Sequence, residues 1–233
     1  MMDFVFLRGT FMELLAGVPM TLQLAIIALC GGFVFAVILA LFRNSGVGVL
    51  DWFARLYFFV FRGTPLLVQL FLIYYGLGQF DAVRASIFWS ILREPYWCAI
   101  GALTLNTAAY AGNILYGGII AVPSGQIEAA RACGMSGITV FRRITMPIAI
   151  RLALPGYGNE MVSMVKATSL ASIITIMEVT GIAGRLISES YRPVEVFIAA
   201  GTIYLVINFV LTRLIQLYEF YLTPHSPRAA VSV

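Results

Sequence analysis

Charge is what this chain has least of. Only 11% of its 233 residues are charged against 61% hydrophobic, and mean hydropathy is +0.92. Soluble domains carry about 25% charged and 45–50% apolar residues, so the coat of a water-soluble globule is missing. Disorder is excluded too, because it needs low hydrophobicity and high charge. Lysine is scarcer still: of 15 basic residues only Lys166 is a lysine. It follows Val165, whereas a phosphate-binding P-loop needs Gly-Lys-Ser/Thr, so this chain does not hydrolyse ATP by that route. His225 is the lone histidine, and Cys30, Cys98 and Cys133 lie far apart without CxxC spacing. A protein-built metal site therefore has no ligand set. A His-Asp pair and a nucleophile elbow are also missing, which argues against a membrane hydrolase. The net charge of +4 forms no dense basic stripe, so no nucleic-acid partner is expected. Scattered arginine on an apolar chain suits the cytoplasmic edge of a membrane.

What is present is a series of apolar runs. A bilayer crossing takes about 20 mostly apolar residues. The stretch between Glu13 and Arg43 is free of charge and predicts a first span over 14–42. It is too long for the ~7–15-residue core of a cleaved signal and lacks a basic leader, so a retained helix is expected. A second span is expected over 52–80, with Arg55 and Arg62 in its first turns able to snorkel to headgroups. Pro65 in Arg62-Gly63-Thr64-Pro65 removes a helix hydrogen bond and bends it. Further spans are expected over 95–120, 152–177 and 196–222. Residues 178–195 read as an external, partly helical segment. The expected fold class is an all-α polytopic membrane protein of five transmembrane helices, a single domain over 1–225 with a tail at 226–233.

Five crossings put the termini on opposite sides, and arginine counting picks the sides. With the N-terminus outside (periplasmic) and the C-terminus cytoplasmic, the inner segments hold Arg43, Arg55, Arg62, Arg131, Arg142, Arg143, Arg151, Arg213 and Arg228. The outer ones hold Arg8, Arg84, Arg93, Arg185 and Arg192. Nine against five places the 121–151 loop in the cytoplasm.

That loop carries the most specific pattern. Pro123 stops the third helix, and Ser124 is expected to cap a new one beginning at Gln126. Gly134 and Gly137 break it, and a second short helix rises through residues 140–146 to Pro147, making a knob at the membrane surface. Glu128-Ala129-Ala130, three residues, Gly134, nine residues, Ile144, one residue and Met146-Pro147 resemble the EAA loop of ABC-importer permeases. Met146 replaces the family's leucine at nearly the same volume. The runs at 61–77, 105–130 and 154–172 are similar to permeases for polar amino acids, in the histidine, lysine/arginine/ornithine and opine branch. Asn113 and Tyr116 depart from the acid and base common there, which puts charge-based gating at those positions in doubt.

The resemblance implies the type I importer fold in a bacterial inner (plasma) membrane. It implies two permease subunits around one pathway, here expected to be paralogues, and a periplasmic substrate-binding protein outside. It also implies a cytoplasmic ABC ATPase dimer that receives the loop as a coupling helix. No cofactor is expected on this chain; ATP and Mg would act through the partner ATPase. Glu128, Ala129, Ala130, Gly134, Ile144 and Pro147 are the expected coupling residues.

Polar residues within the spans are the candidates for a substrate pathway. Asn106, Tyr110 and Asn113 recur at i, i+4 and i+7 on one helix face. They suit either a pathway lining or interhelical hydrogen bonding. Glu160, Lys166, Thr168 and Ser169 form the other set, with Glu160 either bracing the loop arginines or facing the pathway. The resemblance puts a gate around 166–172. The competing class is a secondary transporter or channel without an ATPase, which often shows internal repeats; none is visible between the halves.

Overall fold

The computed structural model describes residues 4–222, all helices and short connections. The tail expected at 226–233 and His225 lie outside them. Helix α1 (Phe4–Leu15) runs almost directly into α2 (Val18–Asn44), interrupted only at Ala16-Gly17. Gly17 is obligatory there, since a Cβ would sit 2.6 Å from the Val179 nitrogen. Residues 5–44 and 193–221 are each long and apolar enough to cross a membrane.

The second span is not one rod. Helix α3 (Gly48–Gly63) stops where Thr64 takes an extended conformation before Pro65, and the chain turns through 102° into α4 (Leu66–Phe71) and the turns that follow to Gln79. Proline both lacks the N–H and bars the helical conformation for the residue before it. Two one-turn helices, α5 (Asp81–Arg84) and α6 (Trp89–Leu92), lead to α7 (Pro95–Ile120). At about 1.5 Å per residue, the 26 uncharged residues of α7 reach about 39 Å. This helix lies at the centre, with α2 along one side and α10 (Met146–Ala167) along the other, and the main core joins α2, α4, α7 and α10. Gly118 permits the crossing with α10, where a Cβ would meet the Ala149 carbonyl at 2.5 Å.

The loop differs from the expected knob of two separate helices. Helix α8 (Ser124–Ala132) begins at Ser124 itself, after Pro123, so Ser124 is not its cap. The second element, α9 (Gly137–Val140), is capped by Ser136, whose side chain accepts from the Thr139 N–H at 3.4 Å. It then continues through a wide turn at Phe141–Thr145 straight into α10, with Pro147 in the first turn. The proline sits just past the wide turn, where the helical hydrogen-bond register shifts, so it lies within the rising helix rather than ending a short one.

After α10 a tight 3-10 stretch (Thr168–Ile174) leads to Thr175, whose φ of 71° is unusual for a β-branched residue. Helix α11 (Val179–Ser190) follows at 48°, then α12 (Pro193–Leu222). Glu178, at the start of the segment expected outside, is fully buried within the protein. Its carboxylate accepts from the Gly181 N–H at 2.9 Å, capping α11, and from the Tyr204 hydroxyl at 2.5 Å and the Thr21 hydroxyl at 3.4 Å. One acid thus ties α2, α11 and α12, which is how a buried carboxylate is tolerated. The large apolar residues left exposed, among them Ile26, Phe35, Phe59, Leu205 and Phe209, suit contact with lipid.

Candidate functional site

The 102° break moves Arg62, Gly63, Thr64, Pro65 and Leu66 sideways, against α7 and α10. Between the three elements opens a cavity of about 670 Å³, within the ~300–1,000 Å³ of small-molecule sites. Helix α7 contributes Asn106, Tyr110 and Ile114, one face at i, i+4 and i+8. Helix α10 contributes Gly156, Asn159, Glu160, Ser163 and Ala167. The Arg62 guanidinium lies over the Tyr110 ring, 5.5 Å from its centre. Glu160 is 9% exposed, and the buried Thr107 hydroxyl has no hydrogen-bond partner among the described residues. Arg62 and Glu160 form no ion pair with each other. The cavity therefore holds one cation and one buried anion, each available to a ligand. A buried carboxylate without a cationic partner is expensive, so a cationic group entering the cavity is stabilised.

Of the pathway candidates, Asn106, Tyr110 and Glu160 share this cavity. Asn113 does not line it; the face that does runs through Ile114. Thr168 is fully buried and spends its hydroxyl on the Val165 carbonyl at 2.7 Å, and Ser169 does the same to Lys166. These hydroxyls satisfy the last carbonyls of α10. Lys166 is exposed in the last turn of α10, beside but not lining the cavity. Glu160 lies with α7 rather than with the loop arginines. Gln69, Thr64 and Thr107 were not foreseen; Gln69 is a single amide in a run of apolar residues, and that isolation was its only signal.

The loop has its own geometry. Helix α8 ends in a paired turn: the Gly134 N–H donates to Arg131 O at 2.9 Å and the Met135 N–H to Ala130 O at 3.2 Å. Gly134 has φ +78°, a conformation in which other residues are strained. The turn folds the chain back so that Ala129 and Ala130 face Ile144 across a shallow groove also lined by Gln126, Met135 and Arg143. Glu128 and Ala129 are exposed, as is Pro147 on the α10 side. Ile127 anchors α8 on a small apolar cluster of Ala40, Ile119, Val122 and Ala149. Nearby, Asp51 joins Arg43 at 2.5 Å and Arg55 at 2.8 Å, and Arg43 stacks on Tyr116 at 4.4 Å. These contacts hold the ends of α2, α3 and α7 together.

Residues 32–222 match the family of binding-protein-dependent transport system inner membrane components. The chain belongs to this family. It is a permease component of an ABC transport system, an inner-membrane protein with the type I importer fold. It is 60% identical over 222 residues to the octopine transport system permease protein OccM of Rhizobium meliloti, covering 95% of this chain and 91% of that one. It is 56% identical over 225 residues to the nopaline permease NocM of Agrobacterium fabrum, covering 96% and 93%. The arginine permease ArtM of Escherichia coli is 48% identical over 172 residues, covering 73% and 77%. Among solved structures, an amino acid ABC transporter with histidines superposes with a TM-score of 0.85 at 34% identity, covering 94% of this permease and 98% of that chain. The MetNI methionine transporter, at 18% identity and a TM-score of 0.67, shares the fold.

Proposed function

We propose that this permease forms half of the translocation pathway of an ATP-driven importer for a cationic amino acid or an opine derived from one. The observation that carries this is the cavity in which Arg62 and Glu160 stand unpaired. Glu160, with Asn106, receives the cationic side chain, and Arg62, held over Tyr110, receives the carboxylate. A bidentate arginine–carboxylate contact is strong and directional. The names of the octopine, nopaline and arginine relatives agree with that chemistry.

The pathway is completed by a second permease, a paralogue of this chain, and by a periplasmic binding protein that delivers the substrate. The chain crosses the membrane five times with its N-terminus outside. An ATPase dimer below receives α8, with Glu128, Ala129, Ala130, Gly134, Ile144 and Pro147 forming the coupling surface. ATP and Mg act in that partner. Lys166, Thr168 and Ser169 border the gate above the cavity, and Asn113 packs α7 against its neighbours.

The test is uptake of labelled arginine and octopine by the reconstituted complex. Uptake that requires the ATPase subunit and ATP, and that falls at least tenfold in Glu160→Gln, supports the proposal. Uptake driven by an ion gradient without any ATPase would sink it.

A further inference from the structure

The break at Thr64-Pro65 strands the last carbonyls of α3. Gln69, 6% exposed, reaches back to meet them. Its Nε2 lies 2.8 Å from Phe61 O, 3.1 Å from Thr64 O and 2.8 Å from Thr64 Oγ1, its two hydrogens shared among the three acceptors. The hydroxyl hydrogen of Thr64 is already committed to Val60 O at 2.8 Å, so its oxygen can only accept from Gln69. All three neighbours are acceptors, and a side-chain amide meets acceptors with its nitrogen alone. The orientation of Gln69 is thereby fixed.

Its Oε1 then faces Asn106, which must answer with its own nitrogen. Asn106 Nδ2 donates to Gln69 Oε1 at 3.0 Å, with Phe61 O at 3.5 Å as a second acceptor. Both donors of Asn106 are thus occupied. Its Oδ1 has no protein partner among the described residues and is not sealed from solvent. Asn106 lines the cavity, whereas Gln69 does not.

We propose that Gln69 is a positioning residue for specificity. Through a one-way chain of hydrogen bonds beginning at Val60 O, it makes Asn106 present an acceptor to the cavity that also holds Glu160. The cavity end so formed selects a ligand with a cationic N–H group, a guanidinium or an ammonium. This rests on the reading of the cavity as the substrate site. Without Gln69 the Asn106 amide is free to turn and offers donor or acceptor alike, so discrimination against neutral polar ligands falls.

The probes are L-arginine and its neutral isostere L-citrulline, titrated calorimetrically into the intact permease–ATPase complex without binding protein. Gln69→Met keeps the volume and removes the amide. It should weaken arginine about tenfold, the scale of one charge-assisted hydrogen bond, and leave citrulline unchanged. Adding Asn106→Asp restores an acceptor in either rotamer and should recover the arginine preference. Equal loss of both ligands without recovery, or an unchanged ratio, overturns the positioning role. If Gln69→Met does not assemble, Gln69→Leu removes the amide with a different shape; a shift in the same direction supports the role, and an unchanged ratio overturns it. Arginine binding untouched in Glu160→Gln would instead sink the cavity reading itself.

Discussion

Glu160 sets stability and function against each other at a single residue. Its carboxyl is almost fully buried, and among the described residues it has no cation within ion-pair distance. In the empty permease that group is a burden, because a buried carboxylate without a cationic partner is costly. With a cation in the cavity it becomes the strongest contact available. Glu160→Gln should therefore leave the melting temperature of the ligand-free complex unchanged or raise it. The same variant should weaken arginine binding by about 1.5–3 kcal/mol, or roughly 10- to 100-fold. Thermal melts with and without arginine check both halves: wild type should gain more from ligand than the variant does. A variant that melts lower when empty would mean that Glu160 is a structural brace.

Single helices and turns decide whether the coupling surface exists. The glycine at 134 closes α8 in a left-handed conformation, and no space restriction applies there, so backbone strain alone opposes a side chain. Gly134→Ala should cost about 1 kcal/mol locally, and Gly134→Pro should remove the turn outright, since the Gly134 N–H is its donor. Both proteins should still insert, because the spans are untouched. Substrate-stimulated ATPase activity should fall modestly in the first and be lost in the second, and Glu128→Lys, exposed on the same helix, should also uncouple it. Gly118 fails differently. A Cβ there meets the Ala149 carbonyl, and backbone cannot give way as a side chain end does. Gly118→Val should lower stability by about 1–3 kcal/mol, the range of overpacked cores, read as a lower melting temperature of the assembled complex.

At the scale of the whole molecule, what the sequence made legible was whatever is local. The apolar runs announced spans, and the EAA spacing announced the loop, because both are written within 20 or 30 consecutive residues. The cavity was not legible as a unit. Arg62 lies over Tyr110 and shares a cavity with Glu160 beside a 102° turn at Pro65, and a proline signals a bend without giving its direction. Burial of Glu178 was hidden for a related reason: its partners Thr21 and Tyr204 lie 157 and 26 residues away. Periodicity also chose Asn113 over Ile114, since positions i+7 and i+8 both lie near one face of a helix.

The arrangement in the membrane rests on α7. It carries two asparagines and three tyrosines without any charge, and it is the central helix. If it spans, Ala85 and Cys133 lie on opposite sides, Ala85 outside and Cys133 in the cytoplasm. Both positions are exposed, so a membrane-impermeant maleimide can report on them separately. In a Cys30→Ser, Cys98→Ser background, intact cells should label Ala85→Cys and leave Cys133 untouched, and inverted vesicles should do the reverse. Cys133 labelled from outside would turn the whole molecule over, against the arginine count. Both positions labelled from the same side would mean that α7 does not cross, and the pathway proposed beside it would fall with that result.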